Sequence, residues 1–154
     1  MLLKLRQRMA REESGFTLVE LLVVMLIIGL LAAIAIPAFF NQREKAKDSG
    51  AKEMARTAET AMETYATDNN GVYTGVNPAA LNNIEPTIQI ADNGKDPWAN
   101  AASSATPNTY TLTVTSQTGN TFTIARDATT SQLTFTCTTG GTAGCPTGGI
   151  WAQG

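Results

Sequence analysis

The sequence has no histidine, and only 16% of its 154 residues are charged. The absence of histidine removes the commonest general base and the commonest metal ligand. Two cysteines without histidine also cannot make an ordinary zinc site. The formal net charge of −2 is unlike the basic surface of a nucleic-acid-binding protein. We therefore predict that the protein is not an enzyme, binds no cofactor and has no specific nucleic-acid partner.

Charge is missing most completely between residues 21 and 40, where twenty consecutive residues include no Asp, Glu, Lys or Arg. As an α-helix, these twenty residues would span about 30 Å, the thickness of the hydrocarbon core of a bilayer. A buried core helix is the alternative, but the rest of the chain has no matching apolar mass to cover it. The run therefore predicts a transmembrane helix. Its least stable stretch extends from Gly29 to Pro37, because glycine adds backbone freedom and proline removes a helix hydrogen bond.

Composition divides the chain into four parts. Residues 1–15 form a polar leader in which four Lys/Arg oppose two Glu. Residues 16–40 form the apolar helix, which we expect to project from the folded domain. Residues 41–67 are charged but keep apolar residues at three- and four-residue steps, which predicts that the same helix continues with one apolar face. Residues 68–154 form a C-terminal globular region. The predicted apolar face comprises Ala51, Met54, Ala55, Ala58, Met62 and Tyr65.

The C-terminal region begins with the turn sequence Asp68-Asn69-Asn70-Gly71, which predicts the end of the helix. A meandering segment follows, and three runs then alternate apolar residues with threonine, at 110–115, 121–124 and 133–137. This period of two predicts a three-stranded antiparallel meander with one buried face. The fold class is α+β: a long N-terminal α-helix packed on a small antiparallel sheet, whose threonine face meets water or a neighbouring subunit.

A basic start followed by an apolar run is also typical of a secretory signal. Ala33-Ile34-Ala35 supplies a small-residue cleavage site, and ordinary signal peptidase would then release a soluble binding domain that begins at Ile36. The run is longer than a usual signal core, and Glu20 lies near its start. Both features argue against this alternative.

The sequence of residues 14–24, SGFTLVELLVV, together with Pro37, resembles the class III leader and N-terminal helix of type IV pilins and of type II secretion pseudopilins. The resemblance is dense across residues 11–45 and looser to residue 154. It implies that a prepilin peptidase cuts between Gly15 and Phe16 and methylates the new amino group of Phe16. It also implies unwinding between Gly29 and Pro37 on assembly.

Glu20 is the residue to which the resemblance gives a role in assembly. In filaments of this family, the glutamate of one subunit is taken to pair with the amino terminus of a neighbour, here Phe16. An intrachain contact of Glu20, or its extension toward the lipid headgroups, is the alternative.

The resemblance implies a precursor in the cytoplasmic membrane that polymerises into a helical filament of identical chains at the cell surface. An inner-membrane assembly platform and a motor would serve this assembly. We predict a major type IV pilin, with a major pseudopilin of a type II secretion system as the alternative. The third strand and the cysteine loop at 132–145 favour the pilin.

Cys137 and Cys145 predict a disulfide outside the cytoplasm, with free thiols as the alternative. The disulfide would fasten a glycine- and threonine-rich tail that has little apolar surface to bury. Asp68, Asp92 and Asp96 offer oxygen ligands of the kind that calcium prefers. No spacing among them fixes a site, so we interpret them as turn residues and predict no metal.

Overall fold

The computed structural model of the chain describes residues 15–103, 106–138 and 140–153. The chain separates into two compact units between Phe39 and Phe40. Helix α1 (Leu18–Asp68) supplies the described helix of the first unit and continues into the second. The later elements are helix α2 (Pro78–Ile84) and strands β1 (Trp98–Ser103), β2 (Tyr110–Thr115), β3 (Thr121–Arg126) and β4 (Leu133–Cys137). The predicted helix, 16–67, therefore differs from α1 by two residues at its start and one at its end.

Helix α1 ends at the turn that the sequence predicted. Asn70 and Gly71 both have positive φ, at 59° and 82°. The Gly71 amide donates a hydrogen bond of 2.7 Å to the Ala66 carbonyl. This bond joins residues five positions apart, as the wider of the two hydrogen bonds in a Schellman motif does. The motif needs a residue in the left-handed conformation, which asparagine or glycine adopts at low cost.

The four strands form one antiparallel sheet in the order β1-β2-β3-β4. Leu112 pairs with Ile124, which pairs in turn with Phe135, so apolar residues line up across one face. On the opposite face Thr113 pairs with Thr123, and their hydroxyl oxygens lie 3.1 Å apart. The observed register therefore separates an apolar face from a threonine face.

The prediction of three strands was wrong, because β1 adds a fourth. Its sequence, WANAAS, alternates small residues with little contrast in hydrophobicity. A bulge between Ala99 and Ala101 also interrupts the period of two. Both properties hide the strand from a search for alternating apolar residues, and the sequence analysis assigned it to the meandering segment.

Helix α2 was not among the predicted elements. Asn77 caps this helix, because its side-chain oxygen accepts a hydrogen bond of 3.0 Å from the Ala80 amide. Pro78 occupies the first helical position, where its missing N–H costs nothing. The Asn-Pro pair is a readable start signal, but seven residues are too few to show a helical period.

The core of the second unit lies between α1 and the apolar face of the sheet. The helix contributes mainly alanines, which allow close approach, and the sheet contributes the large side chains. The predicted face was slightly misplaced, since Met54 and Tyr65 are only partly buried while Ala61 and Ala66 are buried. The buried residues of these elements are Ala51, Ala55, Ala58, Ala61, Met62 and Ala66 on α1 and Ala99, Ala102, Tyr110, Leu112, Val114, Phe122, Ile124 and Phe135 on the sheet.

Candidate assembly site at the start of the long helix

Helix α1 begins with a capping box formed by Thr17 and Glu20. One oxygen of the Glu20 carboxylate accepts hydrogen bonds of 2.8 Å from both the amide and the hydroxyl of Thr17. The Thr17 hydroxyl oxygen accepts a bond of 3.2 Å from the Glu20 amide. These bonds satisfy two amides that the helix itself leaves without partners. In the single chain, therefore, Glu20 makes an intrachain contact.

The Gly15–Phe16 peptide bond lies just before this cap, in backbone that is not helical. Phe16 is 83% exposed, and a Cβ added at Gly15 would meet no atom of the described residues within 4 Å. A peptidase needs an accessible peptide bond, and these exposed residues leave theirs accessible. The other leader residues, 1–14, lie outside the described residues.

The apolar part of α1 is exposed along its whole length. Every large apolar side chain between Leu18 and Phe40 is at least 47% exposed. Within the described ranges, α1 is also the one helix that is long and apolar enough to cross a membrane. An apolar surface of this extent marks a site that lipid or other protein chains cover.

Gly29 and Pro37 lie inside this exposed part of α1, which remains helical through both residues. Their predicted role in helix unwinding concerns the assembled state and stays a prediction.

The C-terminal cysteines form the disulfide that the sequence predicted, with their Cα atoms 5.9 Å apart. Cys137 ends β4, and the bond fastens the following loop back to this strand. The loop also contacts α1 through Asp48 and Lys52. The sequence did not indicate either residue, because their partner in the loop lies more than 90 residues away along the chain.

The structure places two of the three calcium candidates in one loop. The Asp92 carboxylate accepts hydrogen bonds from the Gly94 amide (2.8 Å) and the Gln117 side chain (3.0 Å), and these bonds lower its pKa. The Asp96 carboxylate accepts a bond of 2.9 Å from Asn93. Asp68 instead ends α1. In the described part of the chain, no three acidic or cysteine side chains converge as metal ligands would.

Comparison with known proteins agrees with this geometry. The family model described as "Prokaryotic N-terminal methylation motif" matches residues 10–36, which include the capped start of α1. The chain is 31% identical over 111 residues to "Type II secretion system core protein G" of Aeromonas hydrophila, covering 65% of this chain and 78% of that protein. An apolar helix behind a methylation motif, followed by a small antiparallel sheet, defines the class of prepilin-like proteins. The chain belongs to the family of type IV pilins and type II secretion pseudopilins.

Type IV pilins are among its relatives. The chain is 44% identical over 71 residues to "Type IV wide pilus major component PilA4" of Thermus thermophilus, covering 46% of this chain and 53% of the relative. It is 38% identical over 69 residues to "Type IV major pilin protein PilE1" of Neisseria gonorrhoeae, covering 45% and 32%. The chain thus spans between a third and about half of the length of these pilins. No solved structure matches it.

Proposed function

We propose that the chain is a prepilin that is cleaved after Gly15, methylated at Phe16 and polymerised into a helical type IV pilus. The observation that carries this proposal is the exposed apolar part of α1, which begins shortly after the accessible Gly15–Phe16 bond. The methylation-motif match and the named relatives support a structural subunit rather than an enzyme.

The balance of insertion energies supports a membrane-bound precursor. A carboxylate at the centre of a bilayer costs about 2.5–3.5 kcal/mol on insertion scales, and Glu20 lies near the start of the apolar run, away from the centre, where the cost is smaller. The large apolar residues of 21–40 each contribute about 0.3–0.6 kcal/mol, and there are fourteen of them. Their sum exceeds the cost of Glu20, so the helix remains in the membrane until it is extracted.

Filament formation follows from the same exposed surface. Outside the membrane, the apolar helix is stable only when other apolar helices cover it. Identical chains that pack through two different surfaces form a closed ring if the rotation between them closes and an open helical filament if it does not, and a pilus is the open form. In this proposal a prepilin peptidase matures the chain, and an inner-membrane platform and motor move it from the membrane into the filament at the cell surface.

A major pseudopilin of a type II secretion system is the second candidate. The alignment with core protein G of Aeromonas hydrophila supports it, because it extends over more of this chain than the pilin alignments do. The disulfide loop that follows β4 is the feature on which we favour the pilus.

Mass spectrometry of sheared surface material tests the proposal. We expect long fibres made of this chain, with an N-terminal peptide that begins at methylated Phe16. Methylated Phe16 confined to the membrane fraction, without long fibres, would instead assign the chain to a pseudopilus. A native chain that begins at Met1, or a soluble one that begins at Ile36, would reject both candidates.

A further inference from the structure

Asp48 is the one charged residue of the described ranges whose side chain is buried, with no exposed surface. It lies on α1, in the part of the helix that belongs to the second unit. A buried carboxylate is costly unless hydrogen-bond donors surround it. The partners of Asp48 therefore show what this residue does.

The Asp48 carboxylate joins three segments that are far apart in the sequence. One oxygen accepts a hydrogen bond of 2.5 Å from the Thr118 hydroxyl. The other accepts bonds of 2.7 Å from the Asn120 side chain and 2.8 Å from the Gly144 amide. Thr118 and Asn120 lie in the turn between β2 and β3, and Gly144 lies in the disulfide loop. The helix, the turn and the loop thus meet at one carboxylate.

Lys52, one helical turn further along α1, holds the same loop residue from its other side. Its ammonium group donates a hydrogen bond of 2.7 Å to the Gly144 carbonyl. Residues four apart lie on the same face of a helix, so Asp48 and Lys52 together engage both the N–H and the C=O of Gly144. We call these two side chains the loop clamp.

Apolar burial cannot replace the loop clamp. Among the described residues of 138–147, Cys145 alone is buried, and the others are exposed or half-exposed. The disulfide fixes the loop to β4, but it makes no link to α1. The position of the loop on the helix therefore depends on polar contacts.

The hydrogen bonds to the Asp48 carboxylate decide whether this buried group is ionised. The turn 116–120 and the loop 138–147 contain no charged residue. Glu44, Lys45 and Lys52 of α1 lie beside the loop, and the Asp92 carboxylate accepts a hydrogen bond of 3.0 Å from Gln117 in the turn. Burial is the largest single influence and opposes ionisation. The hydrogen bonds from Ser116, Thr118, Asn120 and Gly144 together outweigh burial, so the pKa of Asp48 lies below its ordinary value of 3.8.

We propose that the loop clamp is an acid-sensitive latch that holds the disulfide loop on α1. The ionised carboxylate of Asp48 accepts every hydrogen bond offered to it and keeps the latch closed. A protonated carboxyl carries a hydrogen that competes with one of these donors, so the latch opens while the disulfide still tethers the loop to β4. The proposal does not depend on whether the chain builds a pilus or a pseudopilus.

The sign of the pH dependence follows from the lowered pKa. A carboxylate whose pKa falls on folding contributes stability that is complete above its unfolded pKa and disappears as the pH falls through the folded value. The latch is therefore closed at neutral pH and opens below the ordinary aspartate range.

The first test uses the full chain in detergent micelles with its disulfide intact. We expect Asp48→Asn to increase the rate at which a phosphine reductant cleaves Cys137–Cys145 by about tenfold at neutral pH, because the new amide group faces donors and unlatches the loop. Amide hydrogen exchange in residues 140–149 should accelerate by a similar factor, while exchange in β3 stays unchanged. The matched control is Asp68→Asn, which alters an exposed carboxylate at the end of the same helix and should change neither rate. Rates in Asp48→Asn that match the wild type would overturn the proposal.

A second test remains informative if Asp48→Asn does not fold. Lys52→Met keeps the apolar stem but loses the donor to Gly144, and it should also accelerate loop exchange. In the wild-type chain, loop amides corrected for their intrinsic exchange rates should lose protection in acid at a higher pH than the amides of β3. Loss of both sets at one pH would show that no separate latch exists.

Discussion

At the residue scale, Glu20, Asp48 and Asp127 use their carboxylates in the same way, as acceptors for backbone and hydroxyl donors. Asp127 caps its turn by accepting bonds of 2.9 Å and 2.8 Å from the amides of Thr129 and Thr130. The ion pairs in the described part of the chain are Arg56–Glu59 and Arg126–Glu63, and both are partly exposed. Exposed pairs contribute only about 0–1 kcal/mol. These three carboxylates are thus held by hydrogen bonds rather than by salt bridges, and the bonds are local for Glu20 and Asp127 and long-range for Asp48.

Gly144 gives a prediction at this scale. A Cβ at this position would lie 2.5 Å from the Cβ of Asp48, a distance that forces one of the two segments to move. We expect Gly144→Ala to lower the free energy of unfolding by about 1–3 kcal/mol, the usual cost of overpacking. Urea unfolding of the full chain in micelles would measure the change.

Gly148→Ala is the control for this measurement, because a Cβ at Gly148 would meet no atom within 4 Å in the described structure. It should leave the unfolding midpoint nearly unchanged. Equal midpoints for the two variants would mean that the loop moves freely away from Asp48.

The sequence contains a local signal for the hydrogen-bonding role of Glu20 but none for that of Asp48. The pattern Thr17-x-x-Glu20 is a capping box that the sequence contains in plain form. The prediction for Glu20 was nevertheless a pair with Phe16 of a neighbouring subunit, and the intrachain contact named as an alternative had no stated partner. Asp48 gives no such local signal. Its acceptor role depends on Asn120 and Gly144, 72 and 96 residues away, so only the folded chain identifies it.

At the element scale, predictability follows the strength of the periodic pattern. Helix α1 and strands β2, β3 and β4 each repeat large apolar residues at a fixed spacing, and the sequence predicted all four. Strand β1 buries Ala99 and Ala102, which differ little in hydrophobicity from their neighbours. The cysteine spacing predicted the disulfide loop, but nothing local indicated that the loop packs on α1.

Gly50 lies in α1 and Gly71 lies in the turn that ends it, and substitution by alanine should change stability in opposite directions at the two positions. Gly50 is helical, and a Cβ there would meet no described atom within 4 Å. We expect Gly50→Ala to raise the free energy of unfolding by about 0.5–1 kcal/mol, because alanine loses less backbone entropy in a helix. Gly71 has a φ of +82°. Gly71→Ala should therefore lower the free energy by about 1–2 kcal/mol.

Thermal unfolding of both variants would test this contrast in one experiment. A destabilising Gly50→Ala would contradict the assignment of Gly50 as an ordinary helical position. A neutral Gly71→Ala would contradict the role of the left-handed turn in ending the helix.

At the scale of the whole molecule, the two units differ in whether they bury their own apolar side chains. The second unit buries its own apolar residues between α1 and the sheet, as a water-soluble domain does. The described part of the first unit leaves its apolar side chains exposed, and lipid or other subunits must cover them. A single chain thus combines a self-sufficient domain with a segment whose stability depends on its surroundings.

At the scale of the assembled filament, the prediction concerns the substitution of Glu20, which lies in the exposed apolar unit. In a filament, a buried carboxylate without a partner is strongly unfavourable, and the Phe16 ammonium of a neighbouring chain would relieve that cost. A subunit that slipped along the filament would leave both charges unpaired, so the pair would also fix the axial register. We expect Glu20→Ala to be cleaved normally but to reduce the yield of sheared filaments by at least about tenfold.

Thr17→Ala separates this assembly role from capping. Both substitutions remove the capping box, which contributes about 1 kcal/mol to the start of the helix, but Thr17→Ala keeps the carboxylate available for a neighbour. The filament yield from Thr17→Ala should therefore stay near that of the wild type, while the yield from Glu20→Ala falls. Equal loss in both variants would assign the function of Glu20 to the helix cap, and a normal yield from Glu20→Ala would exclude the intersubunit pair. Since the two variants share the loss of the cap and differ in the carboxylate, a difference in their yields measures the need for that charge during assembly.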